Sequence, residues 1–354
     1  MARGGGIEPL PRSIRFENKM TSVLTYEIPD FELQSGSVLP CARLVYKTYG
    51  ELNAAKDNVV VLPTFYTGNH QRNEGFFGAN RALNPTTHFI ISVNMFGNGI
   101  SSSPSNTPEP FNASSFPTIT LFDNVRAQHM LLTKLLGVTE VKLVVGWSMA
   151  GCQAFQWAAQ YPNMVKAILP FCASSKTSEH NIVFLKGVKA SLQADAVFDD
   201  GNYQTPPTKG LKAFGRNYAG WAFSQTFYRK KMYRLKGFDS AEALLQDWEQ
   251  DHLDWDANDL LCKLKTWALG DISAQSAYDG DFLKALKAIK ARTIIIACDD
   301  DMYFRVEDNE IEAAQIINAE LRVYSSPWGH CVASPGNDPD FEKFLDESIS
   351  ELLS

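Results

Sequence analysis

The chain lacks a cysteine pair at C-x-x-C spacing: its six cysteines (Cys41, Cys152, Cys172, Cys262, Cys298, Cys331) are scattered. Several fall in predicted strands or helices, where a thiol behaves as a small core residue. That usage suits a reduced, cytoplasmic compartment. Long apolar runs are missing too. None approaches the ~20 residues that span a bilayer, so no membrane partner is expected. Residues 1–20 (MARGGGIEPLPRSIRFENKM) have no apolar stretch of the secretory type. They contain several Gly and Pro and read as a disordered extension. A basic excess is absent as well. Lys and Arg total 33 against 40 Asp and Glu, a formal charge of -7, which argues against nucleic-acid binding because phosphate needs a basic face. No internal repeat or low-complexity tract appears.

With 354 residues, the chain exceeds the size at which one core usually stops growing, so a large domain with an insertion, or two domains, is expected. Its centre is the stretch Val141 to Pro162, VKLVVGWSMAGCQAFQWAAQYP. The β-branched run Val141 to Val145, bounded by Gly146, reads as a buried strand. Ala150 to Ala159 carries apolar residues at helical spacing and stops at Tyr161-Pro162. Ser148 stands at the junction. A serine on a sharp strand-to-helix turn has its hydroxyl pushed out of the sheet and needs small neighbours, which is the logic of the nucleophile elbow G-x-S-x-G. Here the elbow reads Gly146-Trp147-Ser148-Met149-Ala150 with Gly151 following, so its last small position is one methyl larger than usual.

Around this centre, Phe31 to Gly50 reads as a hairpin turning at Gly36. Asn58 to Thr64, His88 to Asn94, Lys166 to Ala173, Arg292 to Cys298 and Leu321 to Ser325 read as strands. Asp123 to Leu136 is amphipathic and closed by Gly137, and Asp340 to Leu353 forms a last helix. From Ser174 to about Lys290 strand-like runs vanish and aromatic-rich helical segments take over. The expected architecture is α/β, a mostly parallel sheet with helices on both faces. A core of residues 21–173 and 291–354 is interrupted by a helical lid over 174–290.

A serine nucleophile needs a base, and the base an orienting acid, in the chain order Ser, acid, His. Three carboxylates, Asp299, Asp300 and Asp301, follow the strand RTIIIAC; spacing leaves the acid open among them. His330 follows the last strand and is the only histidine after His252. For the oxyanion, the backbone N–H of Met149 is one expected donor. Phe65 or Tyr66, after the strand NVVVLPT, supplies the other; Pro63 has no N–H. His252 among Asp251, Asp254 and Asp256 lacks the i, i+4 spacing of helical zinc pairs and reads as a solvated acidic helix face. Gly97-Asn98-Gly99 is too short for a nucleotide loop. Neither a metal nor a cofactor is expected.

With these positions in view, the chain resembles the homoserine O-acetyltransferase family of α/β-hydrolase-fold acyltransferases. The resemblance runs from about Tyr46 to the C-terminus. It is carried by Tyr46 to Asn53 (YKTYGELN), Asn94 to Asn106 (NMFGNGISSSPSN), Phe116 to Thr120 (FPTIT) and Ser148 to Gln153 (SMAGCQ) with Trp157-Ala158 and Tyr161-Pro162. Asp301-Met302-Tyr303-Phe304 matches the family's acid turn and selects Asp301, and Gly329-His330 matches its histidine turn. The resemblance implies the α/β-hydrolase fold with a helical lid that forms a homodimer contact. It also implies that Ser148 takes an acyl group from an acyl-CoA-type donor and passes it to a hydroxyl acceptor. Two departures bear on that acceptor. An arginine of the family's first lid helix aligns with Lys189, which keeps the charge but not the bidentate fork. An aspartate after the catalytic histidine is replaced by Cys331, so the charge facing an amine is missing. Lys189 and Tyr66 are carried forward as substrate-binding residues, with an acceptor other than homoserine. Water as the acceptor, giving an ester or thioester hydrolase, is the alternative; a non-catalytic binding protein is a third.

Overall fold

Eight strands of one sheet account for the apolar runs. A computed structural model describes residues 22–354; the extension expected over residues 1–20 lies outside the described residues. The strands are β1 (Leu24–Glu32), β2 (Val38–Tyr49), β3 (Val59–Pro63), β4 (Phe89–Val93), β5 (Leu143–Trp147), β6 (Ala167–Phe171), β7 (Arg292–Cys298) and β8 (Ala319–Tyr324). They lie in the order β1-β2-β4-β3-β5-β6-β7-β8. The hairpin β1–β2 is antiparallel, β2 also runs antiparallel to β4, and the rest are parallel. Every residue of β3, β4, β5 and β6 is buried, so these strands read as continuous apolar runs rather than alternating ones.

Successive strand residues face opposite sides of the sheet. Val61, Val144, Ile168 and Ile295 pack into one core with α1 (Leu121–Met130) and α2 (Met149–Gln160). Val60, Val145, Leu169 and Ile294 point into the other core. α1 is fixed at its start by a reciprocal cap, with Asp123 N–H donating to Thr120 Oγ1 and Thr120 N–H to Asp123 Oδ2. It then runs on through a π-helical turn, Leu131–Leu135.

The insertion is made of α3 (Glu179–Gln193), α4 (Thr208–Ala222), α5 (Gln225–Arg229), α6 (Ala241–Leu253) and α7 (Ala257–Ala268). Its two chain ends meet at a narrow neck. There Thr177 N–H donates to Gly270 O at 2.8 Å, Ile272 N–H donates to Ser175 O at 3.1 Å, and Lys176 pairs with Asp271 at 2.8 Å. α8 (Phe282–Ala288) lies beyond this neck, with Ala285 and Leu286 buried in the sheet's own core. The lid expected over 174–290 therefore runs past the neck to include a helix that serves the sheet. Helical periodicity marks a buried face but not which surface buries it. Lid residues Phe184, Phe214, Tyr218, Leu264 and Trp267 join the same core as Val60 and Val145, so lid and sheet share one apolar interior.

Two more helices complete the chain, α9 (Val306–Gln315) and α10 (Pro339–Leu353). α10 closes the second core with Phe341, Leu345 and Ile349. Sequence patterning misses α9 because its buried residues are polar, Asn309 and Glu312. Glu312 accepts from Ser175 N–H at 2.5 Å, Ser175 Oγ at 2.8 Å and Asn309 Nδ2 at 2.7 Å. It thereby ties α9 to the segment entering the lid. Burial pushes its carboxyl up to about 7 from 4.5, against those hydrogen bonds. A carboxyl whose folded pKa is raised stabilises most below its unfolded value and loses that contribution as pH rises through the folded one. Relative to Glu312→Gln, the wild type is expected to lose on the order of 2–3 kcal/mol between pH 4.5 and 8, measured by urea unfolding across that range. A difference independent of pH would refute this.

Candidate active site

Ser148 joins β5 to α2 with φ 58° and ψ -129°, a conformation that costs a residue with a Cβ about 1–3 kcal/mol. Contacts on both sides hold it. Ser148 N–H donates to Phe171 O of β6 at 3.1 Å, and Ser148 O accepts from Cys152 N–H at 3.0 Å. The strand and helix approach closely. A Cβ on Gly146 would stand 2.5 Å from the Ala150 Cβ, and one on Gly151 would stand 2.5 Å from the Ala173 Cβ. Gly146 and Gly151 thus carry the steric demand of the turn, and the extra methyl of Ala150 is absorbed opposite Gly146.

Asp301 and His330 arrive from the ends of β7 and β8. His330 Nδ1 lies 2.7 Å from Asp301 Oδ2. A carboxylate only accepts, so Nδ1 carries the proton and Nε2 holds the lone pair of the neutral ring. Asp301 is fully buried, and its Oδ1 accepts from Tyr303 N–H at 2.8 Å and Phe304 N–H at 3.3 Å. Arg305 Nη1 donates to the Asp299 and Asp301 carbonyls at 2.8 and 2.9 Å, fastening the turn. Asp299 instead accepts from Ser326 N–H. Of the three carboxylates, Asp301 is the one hydrogen-bonded to His330. The His330 ring stacks on Trp147, centroids 5.2 Å apart, with Tyr303 edge-on at 4.8 Å and Phe304 at 5.6 Å. Because Trp147 immediately precedes Ser148, that stack sets the imidazole beside the serine turn.

The backbone around Thr64 and Phe65 leaves β3 toward the same place. Thr64 N–H donates to Val93 O at 3.1 Å, and Met95 N–H donates to Thr64 Oγ1 at 3.0 Å. The Phe65 ring lies 4.8 Å from the Trp147 ring. Met149 is the first residue of α2 and has no acceptor one turn earlier, so its N–H faces out of the helix start. Met149 follows Ser148 directly, and Phe65 packs on Trp147, which precedes it.

Other expected residues lie elsewhere. Tyr66 is buried and donates its hydroxyl to Leu260 O at 2.8 Å, and its ring stacks near Tyr218 at 5.5 Å. It ties the loop after β3 to the lid. Lys189 is exposed, while its α3 neighbours Leu185, Val188 and Leu192 face inward, so the site receives no charge from it. Alignment by residue type does not report helix facing, and here the facing overrules it. His252 departs from the solvated face expected for it. It is fully buried, bonded from Nδ1 to Trp248 O at 2.8 Å and surrounded by Phe214, Tyr218 and Trp248. Asp251 on α6 is half-buried and Asp254 at the helix end is exposed, and that pattern masked the buried histidine between them. Cys331 is buried next to His330, its thiol pushed up to about 12 by burial, so it brings no charge.

Among the described residues, Cys172, Asp301 and His330 are grouped closely enough to suggest metal ligands. Asp301 and His330 are engaged with each other, and burial holds the Cys172 thiol well above its ordinary range. A metal ligand must be deprotonated, so these residues read as the back wall of the histidine site. All six cysteines are free. Sequence reasoning missed Lys263, a fully buried lysine lying 3.7 Å over the Trp255 ring. Burial pushes its amine down to about 7. Its place on a mixed helix gave no signal.

The packing argument for the turn is testable. Gly151→Val is expected to cost about 3 kcal/mol by overpacking against Ala173, whereas Ala150→Gly stays within about 1 kcal/mol of wild type. Urea unfolding measures both, and equal costs would sink the assignment.

Comparison with known proteins gives this arrangement its relatives. Residues 57–335 match the α/β hydrolase fold family. A protein named probable esterase from Corynebacterium glutamicum is 35% identical over 86% of this chain and 88% of its own length. The ethyl acetate hydrolase of Pseudomonas veronii is 33% identical over 91% and 93%, and a homoserine O-acetyltransferase of Trichormus variabilis 32% over 86% and 88%. The crystal structure of an acetylester hydrolase from Corynebacterium glutamicum superposes with a TM-score of 0.90 at 33% identity, covering 94% of this chain and 96% of that one. With its eight-stranded sheet, strained Ser148 turn and Asp301–His330 pair, the chain belongs to the α/β-hydrolase fold family, in its homoserine O-acetyltransferase-like branch.

Proposed function

We propose that the protein hydrolyses small, uncharged carboxylic esters through an acyl-enzyme on Ser148. The observation that carries this is the Asp301–His330 hydrogen bond together with the Trp147 stack that sets the same imidazole beside Ser148. His330 Nε2 takes the Ser148 proton as Oγ attacks the ester carbonyl. Asp301 holds the ring tautomer and stabilises the imidazolium. The Met149 and Phe65 N–H groups receive the developing oxyanion. The tetrahedral intermediate expels the alcohol, which takes the proton from His330. Water, deprotonated by His330, then releases the acid and restores Ser148.

The substrate class follows from what surrounds these groups. Trp147, Phe65, Tyr303 and Phe304 crowd the histidine and the serine turn, which favours a short acyl chain. Cys331 is neutral and Lys189 faces outward, so neither charge of an amino-acid acceptor meets a partner. A buried amine or carboxylate without one would cost several kcal/mol. Two relatives named for their activity, an ethyl acetate hydrolase and an acetylester hydrolase, agree with a small neutral ester.

A second reading keeps the same acyl-enzyme but passes the acyl group from an acyl-CoA-type donor to an alcohol. The 32% identity to a homoserine O-acetyltransferase favours it. Partitioning separates the two: for hydrolysis, the breakdown rate of acetyl-enzyme stays constant as primary alcohols are added. An alkyl acetate as main product would instead assign transfer.

Ser148→Ala is expected to lower turnover of p-nitrophenyl acetate by at least about a thousandfold and to abolish the fluorophosphonate adduct seen by mass spectrometry. Retention of either would end the proposal. Across p-nitrophenyl esters, kcat/KM is expected to fall at least about tenfold from acetate to octanoate, since a longer chain must displace packed aromatics. A flat or rising series would contradict the short-acyl assignment.

A further inference from the structure

Gln153 lies one turn into α2 and is fully buried. Its side chain is the last member of a directional chain of hydrogen bonds. Trp157 Nε1 donates to Gln128 Oε1 at 2.8 Å, Gln128 Nε2 donates to Gln153 Oε1 at 2.7 Å, and Gln153 Nε2 donates to Thr64 O at 2.9 Å and Met149 O at 3.2 Å. An indole N–H can only donate. Trp157 therefore fixes which end of the Gln128 amide faces it, and Gln128 in turn fixes the Gln153 amide. The NH2 of Gln153 is thereby aimed at two carbonyls, one on each side of the serine turn. All three side chains are fully buried, so none can exchange its partner for bulk water without unpacking the helix.

Those two carbonyls matter because of their peptide units. The Thr64 carbonyl and the Phe65 N–H belong to one planar trans peptide, and its two polar groups point in opposite directions. Holding Thr64 O toward α2 turns the Phe65 N–H away from α2, toward the space beside Ser148. Holding Met149 O fixes the first turn of α2, whose opening N–H is that of Met149.

We propose that Gln153 is a positioning residue that presets the oxyanion hole, clamping the Thr64–Phe65 peptide and the start of α2 in one geometry. The inference rests on the acyl-enzyme reading above. Gln153 touches no substrate; it acts through the orientation of the Phe65 N–H. A preset donor is worth most where negative charge develops, so its loss shows in turnover rather than in binding of the neutral ester.

The test uses the full chain and three variants. Gln153→Met removes both clamps, and Gln153→Glu keeps an acceptor for Gln128 while losing the amide donor. Tyr278→Phe removes a buried hydrogen bond to Ala159 O, at the far end of the same helix, and serves as the comparison for lost packing. With p-nitrophenyl acetate, each folded Gln153 variant is expected to lose about 10–100-fold in kcat, with KM changed less than about threefold. Affinity for a trifluoromethyl ketone, whose hemiketal oxygen occupies the oxyanion position, is expected to fall in step with kcat/KM. Tyr278→Phe is expected to lose thermal stability while keeping kcat and ketone affinity within about threefold. If Gln153→Met does not fold, Gln153→Glu is read alone. The proposal is overturned if a folded Gln153 variant keeps kcat and ketone affinity within threefold, or if Tyr278→Phe loses as much of both. If Ser148→Ala turns the ester over as fast as wild type, the acyl-enzyme reading itself falls and takes this inference with it. The failure of Gln153 alone leaves Ser148-dependent turnover intact.

Discussion

The backbone of Ser148, at φ 58° and ψ -129°, is the constraint on which the rest of the site depends. An unfavourable conformation persists only where its surroundings over-determine it. Here β6 grips the serine N–H through Phe171 O, α2 begins on the serine carbonyl, and two glycines let strand and helix touch. The strain lifts the hydroxyl above the sheet edge and leaves the Met149 N–H pointing out of a helix start. In the proposed mechanism, nucleophile position and the first oxyanion donor thus come from one local decision. The remaining groups are delivered by topology. Phe65, Asp301 and His330 follow β3, β7 and β8, and carboxyl ends of parallel strands converge on one edge of the sheet.

That edge is then sealed by rings rather than by charges. His330 lies among Trp147, Tyr303 and Phe304, and Tyr303 in turn meets Tyr218 and Phe184 of the lid. Ser224 at the junction of α4 and α5 donates to Pro327 O, so the lid also grips the turn that carries the histidine. In such surroundings the Asp301 carboxylate is tolerable only because three donors share it, His330 and two backbone N–H groups. A low-dielectric wall strengthens each of those bonds and the hole opposite. It also penalises any charged substrate that arrives without its own partner.

Much of this was legible in the chain itself. Buried parallel strands announce themselves as short β-branched runs, and the serine turn, the acid turn and the histidine turn each follow one. Spacing alone left Asp299, Asp300 and Asp301 equivalent. What separates them is which carboxylate the β7 turn aims inward, a matter of three dimensions that the family resemblance supplied and the hydrogen bond to His330 displays. Side-chain facing was the least legible feature. Lys189 lies on the outer face of α3, whereas His252, read as solvated because of its acidic neighbours, is wholly buried. α9 went unseen because it buries Asn309 and Glu312 instead of an apolar stripe. In each case the residue types were right and the missing knowledge was which face another element would cover.

An ethyl acetate hydrolase and a homoserine O-acetyltransferase are similar to this chain at 33% and 32% identity, so overall likeness does not by itself separate hydrolysis from transfer. In the proposed mechanism the distinction arises after acylation, in what reaches the acyl carbonyl first. An amino-acid acceptor can outcompete water at roughly 55 M only if binding energy holds it in place, and effective molarities of oriented groups supply that advantage. Holding a zwitterion among such rings requires opposite charges at fixed positions. This chain has a neutral thiol at Cys331 and an outward lysine at Lys189. Without those anchors a zwitterion loses its orientation advantage while water keeps its concentration, and on the proposed reading the acyl-enzyme partitions to hydrolysis.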